Sequence, residues 1–208
     1  MIDGNGEAPE LKGKKRMGSI NLIRFIKCRN VTIQGTGSLT RKLKITNAAH
    51  WALQPIGVDG LSVRNVHIHN YGGETPDGLA ICDSQNVLVQ DCRIESDDDA
   101  LTLKSGTPKI PIQNITIKNS TLVSRVCGFK IGPQTFGGFQ NIHITDCHFE
   151  GATKPPGTKY DPHHGVFLNV GNGGFTDGVV VENCTMSNIP SAMSIFLGDI
   201  DEEYWKTY

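Results

Sequence analysis

The chain has 208 residues, enough for one sizeable core or two small ones, and its 20 basic and 21 acidic side chains nearly cancel to a formal charge of -1. That balance leaves no electrostatic footprint for nucleic acid or an anionic membrane surface, and no apolar run approaches the ~20 residues that cross a bilayer. Met1-Ile2-Asp3-Gly4-Asn5-Gly6 lacks the basic and then apolar layout of a signal peptide.

In chain order one unit returns six times: Asn30-Val31-Thr32-Ile33, Gly60-Leu61-Ser62-Val63, Asn86-Val87-Leu88-Val89, Asn114-Ile115-Thr116-Ile117, Asn141-Ile142-His143-Ile144 and Gly178-Val179-Val180-Val181. The starts are 30, 26, 28, 27 and 37 residues apart. From the second copy on, each continues through a polar turn into another short segment, as in Asn65-Val66-His67-Ile68, Asp91-Cys92-Arg93-Ile94 and Asn119-Ser120-Thr121-Leu122. A third run precedes the units: Leu22–Phe25, Trp51–Leu53, Asp77–Ile81, Asp99–Leu103, Gly128–Ile131, Gly165–Leu168 and Ala192–Phe196. A period near 27 without helical stretches predicts an all-β parallel solenoid of about seven coils, one domain over residues 1–208. At ~4.8 Å per coil the rod is about 30 Å long. Val87 and Val89 point inward and Leu88 outward. The column Asn65, Asp91, Asn119, Asp146 and Asn183 reads as a polar turn ladder. The long interval holds a projecting loop, residues 151–162, with Pro155-Pro156 at its centre.

Stacking also assigns the cysteines. Cys92, Cys147 and Cys184 share a column with Ser120 and Val66, as buried fillers rather than disulfide or zinc ligands. More telling is Ser96-Asp97-Asp98-Asp99-Ala100-Leu101-Thr102-Leu103-Lys104-Ser105-Gly106. Asp77-Gly78-Leu79-Ala80-Ile81 lies 22 positions before Asp99 with the same pattern: an Asp, a small residue, apolar alternation. Successive coils would bring these carboxylates onto one surface.

These residues resemble the polygalacturonase family of glycoside hydrolases, pectin-degrading single-stranded right-handed parallel β-helices, in a divergent bacterial-type branch. Leu22-Ile23-Arg24-Phe25-Ile26-Lys27-Cys28-Arg29-Asn30-Val31 and Ala49-His50-Trp51-Ala52-Leu53-Gln54-Pro55 are similar to two of its coils. Its Asn-Thr-Asp-Gly motif stands as Thr75-Pro76-Asp77-Gly78. Its Gly-Asp-Asp motif, anchored on Lys104-Ser105-Gly106, becomes Asp97-Asp98-Asp99. Cys127 occupies the position of the histidine in Gly-His-Gly, and Phe167 and Asn169 replace the two cations of Arg-Ile-Lys. The resemblance implies the central part of a longer, secreted or periplasmic domain, whose open coil ends would allow end-to-end self-association.

It also implies hydrolysis of O-glycosidic bonds in a pectin-like or related acidic polysaccharide, without cofactor or metal. Asp98 would be the general acid and Asp77 and Asp99 would orient water, with inversion, whereas a closest separation near ~5 Å between acid and base would favour retention instead. Three carboxyls so close cannot all ionise easily, so at least one pKa should rise. Lys104 and Lys130 are candidate substrate contacts, Lys130 replacing part of the missing clamp. His164 shares the column of Asp77 and Asp99, His163 precedes it, and Trp51 sits where a ring could stack on a sugar. The alternative from another class is a non-catalytic carbohydrate-binding β-helix, an inactive relative or an adhesin-like module. A polysaccharide lyase would want a basic proton abstractor and usually calcium.

Overall fold

The computed structural model describes residues 1–3, 21–36, 43–72, 75–153 and 164–198. Gly4-Asn5-Gly6, most of the Pro155-Pro156 loop, His163 and the C-terminal segment 199–208 lie outside these. Among the described residues every regular element is a strand, and no helix is long and apolar enough to cross a membrane.

Three parallel sheets run along the axis, with seven, seven and six strands. The first contains Ile2–Asp3, Leu43–Thr46, Val66–Asn70, Arg93–Ser96, Thr121–Ser124, His148–Gly151 and Thr185–Ser187. The second, from Ile23–Ile26 through Leu53–Ile56, Leu79–Cys82, Leu101–Ser105, Cys127–Thr135 and His164–Val170 to Ser191–Leu197, is the one that carries the acids at its strand entries. The third stacks the Asn-Val units, from Arg29–Gln34 to Thr176–Glu182. A coil is thus one strand from each sheet, and the expected seven-coil solenoid is present.

The turns explain the recurring Asn and Asp. Asn65, Asp91, Asn119, Asp146 and Asn183 have φ of 53, 56, 46, 54 and 52°, the left-handed conformation that Asn and Asp tolerate best after glycine. Asn119 donates to Asp91 Oδ1 along this ladder. A second ladder runs Asn141 to Asn114 to Asn86, each amide donating to the previous side chain. The polar columns are therefore structural. Inside, alternation holds: Val87 and Val89 are buried and Leu88 is half-buried.

All six cysteines are free thiols. Those at Cys92, Cys147 and Cys184 each donate to the carbonyl two residues earlier, and Ser120 does the same from its place in the column. Cys92 and Cys147 are buried as expected whereas Cys184 is half-buried, and all three thiols cap a turn, which is why serine substitutes for them.

Candidate active site

Backbone bonds set the alignment along the second sheet. Ala52 N–H donates to Asp77 O, Gly78 N–H to Asp99 O and Ala100 N–H to Cys127 O, and Cys127 pairs with His164. Trp51, Asp77, Asp99 and His164 therefore form one column at the strand entries, as the repeat predicted, and Cys127 joins it. Asp98 precedes Asp99, and carboxylate oxygens of Asp77, Asp98 and Asp99 lie within 4.8 Å of one another.

The chain is fastened around this cluster. The Asp98 carbonyl accepts from Ser96 Oγ at 2.7 Å and Ser124 Oγ at 2.6 Å, while Asp98 Oδ1 accepts from the Asp99 N–H at 2.9 Å. Asn70, completely buried, donates to the carbonyls of Asp77 and His50 and accepts from the Ala48 N–H. Asn70, Ser96 and Ser124 are register partners, so one buried polar column holds the entry turns of three coils. Sequence reasoning missed this column; the signal was a polar residue at the last position of each strand before the acids. Gly78 matters sterically, since a Cβ there would lie 2.4 Å from Ile94 Cγ2 and 2.6 Å from the Ala100 carbonyl.

The acidic triplet divides. Asp97 turns away, accepting from the Gly72 N–H at 2.7 Å and pairing with Arg125 at 2.5 Å. Asp98 and Asp99 face Asp77.

Both candidate lysines reach the cluster. Lys104 Nζ is 3.6 Å from Asp77 Oδ2, and Lys130 Nζ is 2.9 Å from Asp99 Oδ2. Neither is an open cation on the wall: both are buried and engaged by the acids. Lys104 also lies over the Trp51 ring, 4.9 Å from its centroid. Trp51 stacks in turn on His50, whose Nδ1 meets Thr75 Oγ1 at 2.7 Å. His164 lies two coils from Asp99, with its ring stacked on Phe167 at 4.8 Å and Nδ1 3.0 Å from Ser194 Oγ. Phe167 is buried against Val126 and Cys127, and Asn169 donates to the Gly198 carbonyl. The two positions that the resemblance assigns to a cationic clamp are thus filled by packing and a backbone contact.

The electrostatics follow from burial. Asp98 is pushed up to about 6 by burial and by the charge of Asp99, against the pull of Lys130 and Lys104. Burial raises Asp77 well above the usual carboxylate range, although Lys104 opposes it; Asp98 and Asp99 add to the rise. Burial alone would lower the Lys130 ammonium, but the Asp99 carboxylate beside it reverses this and holds it above the usual lysine range. The Cys127 thiol, raised by burial and by Asp99, stays protonated at neutral pH. Asp77 Oδ2 and Asp99 Oδ1 are buried without a hydrogen-bond donor among the described residues.

Fold and site together define a parallel β-helix bearing a cluster of three carboxyls at its strand entries. Residues 1–204 match the family model for glycosyl hydrolases family 28, and the chain belongs to that family. It is 25% identical over 162 residues to a probable polygalacturonase of Arabidopsis thaliana, covering 73% of this chain and 32% of the relative. It is 28% identical over 110 residues to a polygalacturonase of Saccharomyces cerevisiae, covering 50% of this chain and 27% of the relative. The fold matches the crystal structure of a hyperthermoactive exopolygalacturonase from Thermotoga maritima with a TM-score of 0.72 at 21% identity, over 85% of this chain and 38% of that one. The chain spans about a third of the length of the curated relatives it matches.

Proposed function

We propose that the chain carries the catalytic centre of a glycosidase that cleaves O-glycosidic bonds of an acidic, pectin-like polysaccharide. Asp98 protonates the leaving oxygen, and Asp77 and Asp99 orient the attacking water. The observation that carries this reading is the meeting of Asp77, Asp98 and Asp99, whose carboxylate oxygens lie within 4.8 Å of one another, with Lys130 on Asp99; burial raises Asp77 and Asp98 there. A glycosidase needs one carboxyl protonated near neutral pH beside acceptors for water. Asp77 and Asp99 supply carboxylate oxygens within 4.8 Å of that of Asp98. A binding module has no use for a carboxyl poised to give up a proton, which disfavours the non-catalytic alternative. Lys104 and Lys130 already place positive charge among the acids, so the cluster has no need of a cation to balance it.

The acidic character of the substrate is carried over from the relatives' names, because the two clamp positions here hold Phe167 and Asn169. Lys104, Lys130, His164 and Trp51 remain the proposed substrate-side residues, the lysines acting chiefly through Asp77 and Asp99. The test is reducing-sugar release from polygalacturonate, methylated pectin and neutral polysaccharides, with wild type beside Asp98→Asn. Release from an acidic substrate that the variant abolishes is the expected result. No release from any substrate by folded protein would leave a carbohydrate-binding module, and an unsaturated product would indicate a lyase.

A further inference from the structure

A second cluster of ligating side chains stands on the outer face of the first sheet, apart from the acids. His67 and His69 alternate on the strand Val66–Asn70, so both imidazoles point outward, and the next coil sets Glu95 directly opposite His69. Glu95 Oε2 lies 2.6 Å from His69 Nδ1 and 3.5 Å from His67 Nε2. The three ligand atoms all lie within 4.8 Å of one another. The His67 Nε2 atom is buried and aimed into the cluster, with only the long 3.5 Å contact to Glu95 Oε2.

We propose that His67, His69 and Glu95 bind one divalent transition-metal ion, with zinc the best match to two imidazoles and a carboxylate. Ligand bonds of about 2.0–2.2 Å in tetrahedral geometry put donor atoms roughly 3.3–3.5 Å apart. The His67–Glu95 separation already has that value, and the His69–Glu95 contact needs to open by less than about 1 Å. Glu95 is oriented as a metal-binding carboxylate usually is, by a hydrogen bond to its other oxygen: Arg93 Nε bonds Oε1 and leaves Oε2 to the imidazoles. Arg93 and Lys44 flank His67 in register and oppose a cation. Glu150, 3.9 Å from the Arg93 guanidinium, offsets part of that charge. The imidazole side chains are 26% and 42% exposed, so a fourth position opens to solvent. His69 and Glu95 also line a cleft of about 410 Å³ with Tyr71, Arg125 and Glu150, into which an oxygen ligand on the metal would project.

The experiment uses the tag-free chain, dialysed against chelator and titrated with zinc chloride at neutral pH by calorimetry. One ion per chain is expected. His69→Ala and Glu95→Gln should each loosen Kd by more than about tenfold, since lost outer-sphere contacts alone cost that much. His143→Ala, at an imidazole paired with Glu182, should leave it unchanged. Should Glu95→Gln fail to fold by circular dichroism, His67→Gln at the partly exposed ring replaces it. Cobalt in place of zinc should show bands of a nitrogen–oxygen site. Absence of binding, affinity unchanged in the ligand variants, or a thiolate-to-cobalt band would overturn the proposal.

Discussion

Lys130 Nζ meets Asp99 Oδ2 at 2.9 Å with both side chains almost fully buried, 6% and 2% exposed. Two charges removed from water on adjacent coils are tolerated because each is the other's counter-charge, and breaking one side leaves the other uncompensated. Lys130→Met should therefore lower stability by about 3–5 kcal/mol in denaturant unfolding. Lys130→Met with Asp99→Asn should recover most of it, whereas equal losses in the single and double variants would show that the pair does not couple.

The acid role proposed for Asp98 predicts a pH limb. A general acid works while protonated, so with Asp98 at about 6 the kcat/KM of the free enzyme should fall tenfold per pH unit above that value. A rate profile flat from pH 5 to 8 would count against Asp98 as the acid.

The same shift weakens the fold at neutral pH. A carboxyl whose folded pKa is raised contributes stability that is complete below its unfolded value near 3.8 and lost as pH rises through about 6. Asp98→Asn escapes that loss. The variant should be more stable than wild type at pH 7, by up to about 3 kcal/mol, with the advantage gone by about pH 4. Thermal unfolding of the two proteins across this range measures it, and a constant difference would refute the linkage.

Gly78→Ala tests the geometry that seats Asp77. A methyl group 2.4 Å from Ile94 Cγ2 and 2.6 Å from a backbone oxygen must displace the strand, at about 1–3 kcal/mol. Activity should fall further than stability explains, because Asp77 is the preceding residue. Full activity in folded Gly78→Ala would mean that the position of Asp77 is not critical.

Stereochemistry is the remaining test of the water-holding pair. Carboxylate oxygens within 4.8 Å are closer than the ~6.5–9.5 Å usual for inversion and nearer the ~5–5.5 Å of retention. Burial holds Asp77 above the usual carboxylate range and Asp99 faces the Lys130 ammonium, however, so neither is a free nucleophile and both are better suited to hold water. The first anomer released, followed by proton NMR, should be inverted. A retained product would make one of these carboxylates the nucleophile.

Repetition made the fold legible. With a fixed period each residue's column can be counted from its neighbours one coil away, so Trp51, Asp77, Asp99 and His164 aligned before any coordinates. The cysteine and asparagine columns followed for the same reason. What counting along a column leaves open is the direction of a side chain at a turn. Only the tertiary structure separates Asp97, bound to Gly72 and Arg125, from Asp98 and Asp99, although the three are consecutive and chemically identical. It alone buries Lys104 and Lys130 against the acids, because the reach of a long side chain depends on what the neighbouring coil presents. It also brings His67 and His69 onto Glu95 on a different sheet from the acids, a meeting made by register rather than by any local motif. Sequence determined which residues share a column; packing across coils decided which of them touch, and so which carboxyls keep their protons.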